Sequence, residues 1–235
     1  MTLHSTIHDG KEKVTGTATS KRVLIVTAVD AECDAVLRGL QGIPGIDVIA
    51  AGVGIAAAAA RTAAALAPSA SEYRLVISAG IGGGFAGQAE IGSLVVADLI
   101  VAADLGAETP DGFLSLDELG FGSARITASE AWNNRLFDAI HSAGLTVCIG
   151  PILTVTTATG TAATTAALAA RVNGAAAEGM EGHGVAVAAA GFGIPVTEIR
   201  AISNAVGPRD RAAWRIGEAL ASLEEASKAI REVLS

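Results

Sequence analysis

The 235-residue chain is 51% hydrophobic, contains two cysteines and carries a formal net charge of -8. That length and apolar content suit one large hydrophobic core. The acidic balance, with no Lys/Arg-rich run, excludes nucleic acid and anionic membrane surfaces as partners and points to a small molecule. Cys33 and Cys148 cannot build a disulfide framework and read as free buried thiols of a cytoplasmic protein.

Residues 1–20 hold Lys11-Glu-Lys13, many Thr and Ser and no apolar segment. They lack the layout of a secretory signal and are expected to form a disordered extension before one domain over 21–235. In chain order, strands are expected at Val23–Val26, Ile46–Ala50, Leu75–Ser78, Leu94–Val101, Val147–Val155 and Ile194–Ile202. Helices are expected at Asp30–Gly39, Ile55–Leu66, Glu130–Ser142, Thr161–Val172, Met180–Ala190 and Arg211–Leu234. The alternation predicts an α/β domain with a central, largely parallel sheet whose strands are apolar on both faces because helices cover them. The stretch between His141 and Arg171 carries no charge, but Gly144, Gly150, Pro151, Gly160 and its threonines divide it into strand, loop and helix, so no membrane span is expected.

Two segments carry the functional signal. Glu178-Gly-Met180-Glu181-Gly-His183 opens an Ala-rich helix, and the strand from Pro195 through Glu198-Ile-Arg200 ends in Ala-Ile-Ser-Asn204. Together they resemble the paired signature of the purine nucleoside phosphorylase and nucleosidase superfamily. The resemblance runs on through Val23 to Glu32, Ala51-Gly-Val-Gly54, Ser78-Ala-Gly80-Ile-Gly82-Gly-Gly84 and Ile91 to Asp98, in order, from about Lys21 to the C-terminus. It implies a three-layer sandwich with a mixed, largely parallel twisted sheet. Within the superfamily, Asp104 to Phe113 and Asn204 to Trp214 most resemble the futalosine hydrolases. That resemblance implies a cytoplasmic, menaquinone-pathway nucleosidase, a homodimer or larger homo-oligomer, acting on a nucleoside without cofactor or metal; the alternatives are a methylthioadenosine, S-adenosylhomocysteine or aminofutalosine nucleosidase of the same fold, or a nucleoside-binding protein without turnover.

Cleaving an N-ribosidic bond leaves a sugar with oxocarbenium character and a purine anion. The enzyme therefore needs charge beside the sugar, hydrogen bonds for the base and a nucleophile. By the resemblance, Glu181 binds the ribose hydroxyls and Met180 packs on the sugar. The plain alternative is a helix-start carboxylate and a core methionine. Glu32, in the turn after the first strand, falls at the water-activating position of the nucleosidases. It also reads as a solvated first-turn carboxylate, and Asp30 as a cap or a rival base. The two carboxylates in Thr27-Ala-Val-Asp-Ala-Glu32 would repel phosphate, which favours hydrolysis over phosphorolysis.

Asn204 stands where the related nucleosidases carry a leaving-group aspartate. An amide offers N–H donors with no proton to lose, and N7 and O6 of a 6-oxopurine are both acceptors, so Asn204 suits hypoxanthine better than adenine. The alternative is a turn-capping asparagine. Gly80, Ile81 and Gly82 are expected to let the backbone approach the nucleoside, and Gly52 and Gly54 to line the water site. Gly52-Val-Gly54-Ile-Ala-Ala57 also fits a dinucleotide fingerprint, but the next strand ends in Ala79-Gly80 without the ribose-binding acid. Arg209 or Arg211 could pair with the 5'-benzoate of futalosine or with Asp210 or Glu218, and Phe113 could pack on the aromatic ring, from a neighbouring subunit by the resemblance. The segment Thr154–Thr159 lacks the aromatic that stacks on the base in the nucleosidases. None of the four histidines has a partner at metal-ligand spacing.

Overall fold

The computed structural model describes residues 21–235, so the expected N-terminal extension lies outside the described residues. The elements are β1 (Arg22–Thr27), α1 (Asp30–Leu40), β2 (Ile46–Ala50), α2 (Ile55–Leu66), β3 (Tyr73–Gly84) and β4 (Leu94–Ala102), followed by a hairpin of β5 (Gly106–Thr109) and β6 (Gly112–Ser115). Then come β7 (Arg125–Thr127), α3 (Glu130–Ser142), β8 (Val147–Thr154), α4 (Ala162–Arg171), β9 (Ala177–Gly179), α5 (Gly182–Gly191), β10 (Val196–Ala205) and α6 (Ile216–Ile230).

The main sheet is mixed and runs β10-β4-β8-β9-β3-β1-β2, with β7 on β4. β1 pairs in parallel with β2 and β3, β3 with β10, and β4 with β8. One apolar layer joins Val76, Val196 and Ile202 to Ala58 and Leu66 of α2 and to Val185 and Ala189 of α5. On the opposite face Ile77, Ile199 and Ala201 meet Val36 of α1, Leu136 of α3 and Leu223 of α6. Alternate residues of β10 thus feed two different helix layers, as the period of a strand requires. A third cluster, with Phe85, Val101, Leu153 and Leu168, seats α4.

Besides the short strands β7 and β9, which were not expected, three regions differ from the sequence expectation. β3 does not stop at Ser78 but continues through Ala79-Gly-Ile-Gly-Gly-Gly84, because neighbouring strands pair with that glycine run. β10 flanks it throughout, and where β1 ends, Gly83 and Gly84 pair with Glu178 and Ala177 of β9. The expected Arg211–Leu234 helix is broken into a short 3-10 turn at Arg211–Ala213 and α6. The β5-β6 hairpin, turning at Asp111-Gly112, lies where only a loop was expected. Among the described residues no helix is long and apolar enough to cross a membrane.

Candidate active site

The carboxyl ends of β1, β3, β9 and β10 open onto one cleft of about 340 Å³. Ligands collect at this edge in open α/β sheets. The cleft is lined by Glu32, Ile81, Gly82, Glu178, Met180, Glu181, Asn204 and Arg209, and also by Gly83, Thr159, Ser203 and Trp214.

Glu32 occupies the N3 position of α1 and is 4% exposed. Its Oε2 accepts from the Ala28 and Val29 amides (2.9 and 3.3 Å), and its Oε1 from the Ile81 amide (2.9 Å). Three backbone donors fix the carboxylate at the cleft wall and leave part of its acceptor capacity for a ligand or water. Asp30, in the same first turn, does not line the cleft.

Glu181 occupies the N-cap position of α5 without a side-chain capping bond and is 6% exposed. Its Oε1 accepts from the Gly54 amide (3.1 Å) and its Oε2 from Arg200 Nη1 (3.2 Å). The Gly52-Val-Gly54 turn therefore serves Glu181. Of that turn Val53 lines the cleft, whereas its two glycines do not. Met180, half-buried, lines the cleft beside Glu181.

Arg200 is the residue that sequence reasoning missed. Its guanidinium is 2% exposed and donates through Nε to Glu198 Oε1 (2.7 Å) as well as through Nη1 to Glu181 and to the Ile81 carbonyl (3.2 Å). Burial alone works against its charge, but the Glu198, Glu181 and Glu32 carboxylates outweigh that and hold it well above its ordinary range. Glu198 and Arg200 are two residues apart on a strand and so share a face, a signal the sequence did contain. Gly182 makes the pair possible: a Cβ there would collide with the Glu198 carboxylate.

Gly80 departs from expectation. It does not line the cleft; a Cβ there would come within 2.7 Å of Glu32 Oε1 and 2.9 Å of Arg200 Nη1, so its bareness makes room for these two charged groups. The cleft-lining stretch is Ile81 to Gly83, one residue further on.

Asn204 reaches the cleft through a bulge. Ile202 pairs with Gly82 and Asn204 with Gly83, so Ser203 has no partner on β3 and the side chain that follows is re-aimed. Asn204 Nδ2 donates to the Ala205 carbonyl (2.9 Å), and the Ser203 hydroxyl donates to Asn204 Oδ1 (2.8 Å). Because a carbonyl only accepts, the amide orientation is fixed by chemistry, and one N–H remains for a ligand.

Arg209 and Trp214 close the cleft, the guanidinium lying 5.0 Å from the indole centroid. Among the described residues neither Arg209 nor Arg211 is in an ion pair; Glu218 pairs with Arg215 and Asp210 caps Ala212. Phe113 does not line this cleft in its own chain. It stacks under Arg171, 3.6 Å from the ring centroid, because the β5-β6 hairpin folds toward α4. His183 lies buried behind the cleft with Nε2 unpartnered, and burial lowers its pKa.

The match to known proteins covers nearly the whole chain. The family model of the phosphorylase superfamily matches residues 7–235. A futalosine hydrolase of Streptomyces coelicolor is 52% identical over 90% of this chain and 96% of its own length, and one of Acidothermus cellulolyticus is 48% identical over 90% and 91%. Among solved structures, the futalosine hydrolase of Helicobacter pylori superposes with a TM-score of 0.77 at 18% identity, covering 92% of this chain and 99% of that one. The 5'-methylthioadenosine/S-adenosylhomocysteine nucleosidase of the same organism, in complex with an immucillin, superposes at 0.74 with 19% identity over 91% and 97%. These two likenesses carry the fold, and the sequence relatives carry the family. The chain belongs to the phosphorylase superfamily and, within it, to the futalosine hydrolase family.

Proposed function

We propose that this protein hydrolyses the N-ribosidic bond of futalosine, releasing hypoxanthine and dehypoxanthine futalosine for menaquinone biosynthesis. The observation that carries the reading is one cleft holding Glu32, Glu181 and an amide at residue 204. The names of the relatives at 52% and 48% identity support it.

In this reading Glu181, oriented by Arg200 and the Gly54 amide, accepts hydrogen bonds from the ribose hydroxyls, and its charge favours the oxocarbenium-like transition state. Met180 packs on the sugar, and Ile81 and Gly82 let the backbone approach it. Glu32 takes a proton from the attacking water. Asn204 donates its free N–H to the 6-oxopurine as negative charge builds on the base. Trp214 supplies the aromatic surface absent from Thr154–Thr159. Arg209, without a carboxylate partner among the described residues, binds the benzoate at the 5' end.

The charges lining the cleft are Glu32, Glu178, Glu181 and Arg209. Three carboxylates and one rim guanidinium make a poor phosphate site, which favours water as the nucleophile. The protein acts in the cytoplasm as a homodimer or larger homo-oligomer, in which Phe113 of one copy reaches the cleft of the next. Neither metal nor cofactor has a role in the proposed chemistry.

The test is to incubate the purified protein with futalosine, aminofutalosine, methylthioadenosine and inosine, with and without phosphate, and to identify the base released. Hypoxanthine from futalosine, independent of phosphate, is expected. Release of adenine without hypoxanthine would overturn the reading, and turnover that requires phosphate would overturn the hydrolytic step.

A further inference from the structure

Of the carboxylates around Arg200, those of Glu198, Glu181 and Glu32, only Glu198 lies away from the cleft. It is wholly buried; its Oε1 accepts from Arg200 Nε (2.7 Å) and its Oε2 has no hydrogen-bond partner. Placing an ion there is costly, and Arg200 already has a carboxylate partner in Glu181 at 3.2 Å. An apolar residue at position 198 would still leave the guanidinium paired. The second carboxylate therefore needs a reason beyond satisfying Arg200.

The backbone is shaped around the pair. A Cβ on Gly182 would collide with the Glu198 carboxylate, and one on Gly179 would come within 2.8 Å of Arg200 Cζ. Gly182 is the first residue of α5, so the Glu198 carboxylate lies at a helix N-terminus, whose partial positive charge favours an ionised group. Burial raises the Glu198 pKa, and Arg200 opposes that rise.

Charge balance gives the arrangement a consequence. Arg200 with Glu181 alone would be neutral. With Glu198 on Nε the three groups carry a net negative charge, and the only one of them that lines the cleft is Glu181. We infer that Glu198 is a positioning residue that cancels the charge of Arg200, so that Glu181 presents its full negative charge to the ribosyl cation of the transition state. Arg200 still orients Glu181, and Glu198 keeps that orientation from neutralising it. The inference rests on the proposed nucleosidase reading and deepens it, because a cluster of this kind binds a cationic sugar better than a neutral one.

The test uses two uncleavable probes that share a carbon-linked 9-deazahypoxanthine and differ only in the sugar ring. One is 9-deazainosine, whose ribose is neutral. In the other a secondary amine, protonated at the pH of measurement, replaces the ring oxygen. Calorimetric affinities are compared for the wild type, for Glu198→Gln and for the double variant Glu198→Gln/Arg200→Gln. The wild type is expected to prefer the cationic probe, and Glu198→Gln to lose about 10-fold of that preference, the scale of a unit charge acting across a protein interior. Its kcat for futalosine should fall by a similar factor with KM nearly unchanged, since the charge acts on the transition state. A merely structural role for Glu198 would weaken both probes together.

The double variant restores the net charge of the wild-type cluster and is expected to recover the preference. Should Glu198→Gln fail to fold, the double variant decides: loss of the preference there overturns the assignment. So does a preference left unchanged in Glu198→Gln, and hypoxanthine release from futalosine by the wild type then leaves the nucleosidase reading standing. A wild type that binds neither probe and releases no base sinks that reading instead.

Discussion

The floor and the rim of the cleft hold their charges by opposite means. On the floor, Arg200 is 2% exposed and bonded to Glu198 and Glu181, with Glu32 held by three backbone amides beside it. At the rim, Arg209 lies exposed against Trp214 with no carboxylate partner among the described residues. A buried, ion-paired charge is expensive to disturb and holds its neighbours to fixed positions, whereas an exposed guanidinium over an aromatic ring is free to turn toward a ligand. The comparison assigns bond cleavage to the floor and recognition of the substrate's variable end to the rim.

The largest effect should come from removing the floor's only guanidinium. Arg200→Leu leaves Glu198 and Glu181 buried without a cation and should cost about 3–5 kcal/mol of stability in urea denaturation, with loss of turnover. A loss below about 1 kcal/mol, the scale of an exposed pair, would erase the distinction between floor and rim. Next is Glu32→Gln, which should lower kcat by about 10²- to 10⁴-fold with the fold retained by circular dichroism. An unchanged kcat would reduce Glu32 to a cap on α1.

At the rim, Arg209→Ala should raise KM for futalosine by about 10-fold and leave kcat nearly unchanged. Nucleosides without a 5' carboxylate should be unaffected, and an equal loss on those would move Arg209 to the floor's duties.

The smallest effect concerns pH. Burial lowers the pKa of His183 from its ordinary 6.5. A group whose pKa is depressed on folding contributes stability that is complete above its unfolded value and is lost as pH falls through the folded one. The melting temperature should therefore begin to fall below pH about 6.5, and less steeply in His183→Gln, while Arg209→Ala follows the wild-type profile.

The floor was partly legible in the sequence and the rim hardly at all. Strand periodicity placed β1, β2, β4, β8 and β10, and the motifs around Glu32, Met180-Glu181 and Asn204 pointed to residues that the fold does bring into one cleft. The continuation of β3 was hidden because six residues with four glycines, Ala79 to Gly84, look like a turn until β9 and β10 are known to pair with them. Glu178 was read only as part of a motif, since its partner Thr159 is 19 residues away. Trp214 gave no periodic signal because it sits in the break before α6, and Phe113 was drawn to Arg171 by the hairpin.

The account turns on base recognition at Asn204, and the most direct measurement compares kcat/KM for futalosine and aminofutalosine in the wild type and in Asn204→Asp. The wild type should favour futalosine, and the aspartate, able to accept from a 6-amino group, should shift the ratio toward aminofutalosine by about 10-fold or more. A ratio left unchanged by the substitution would contradict the claim that residue 204 selects the 6-oxopurine.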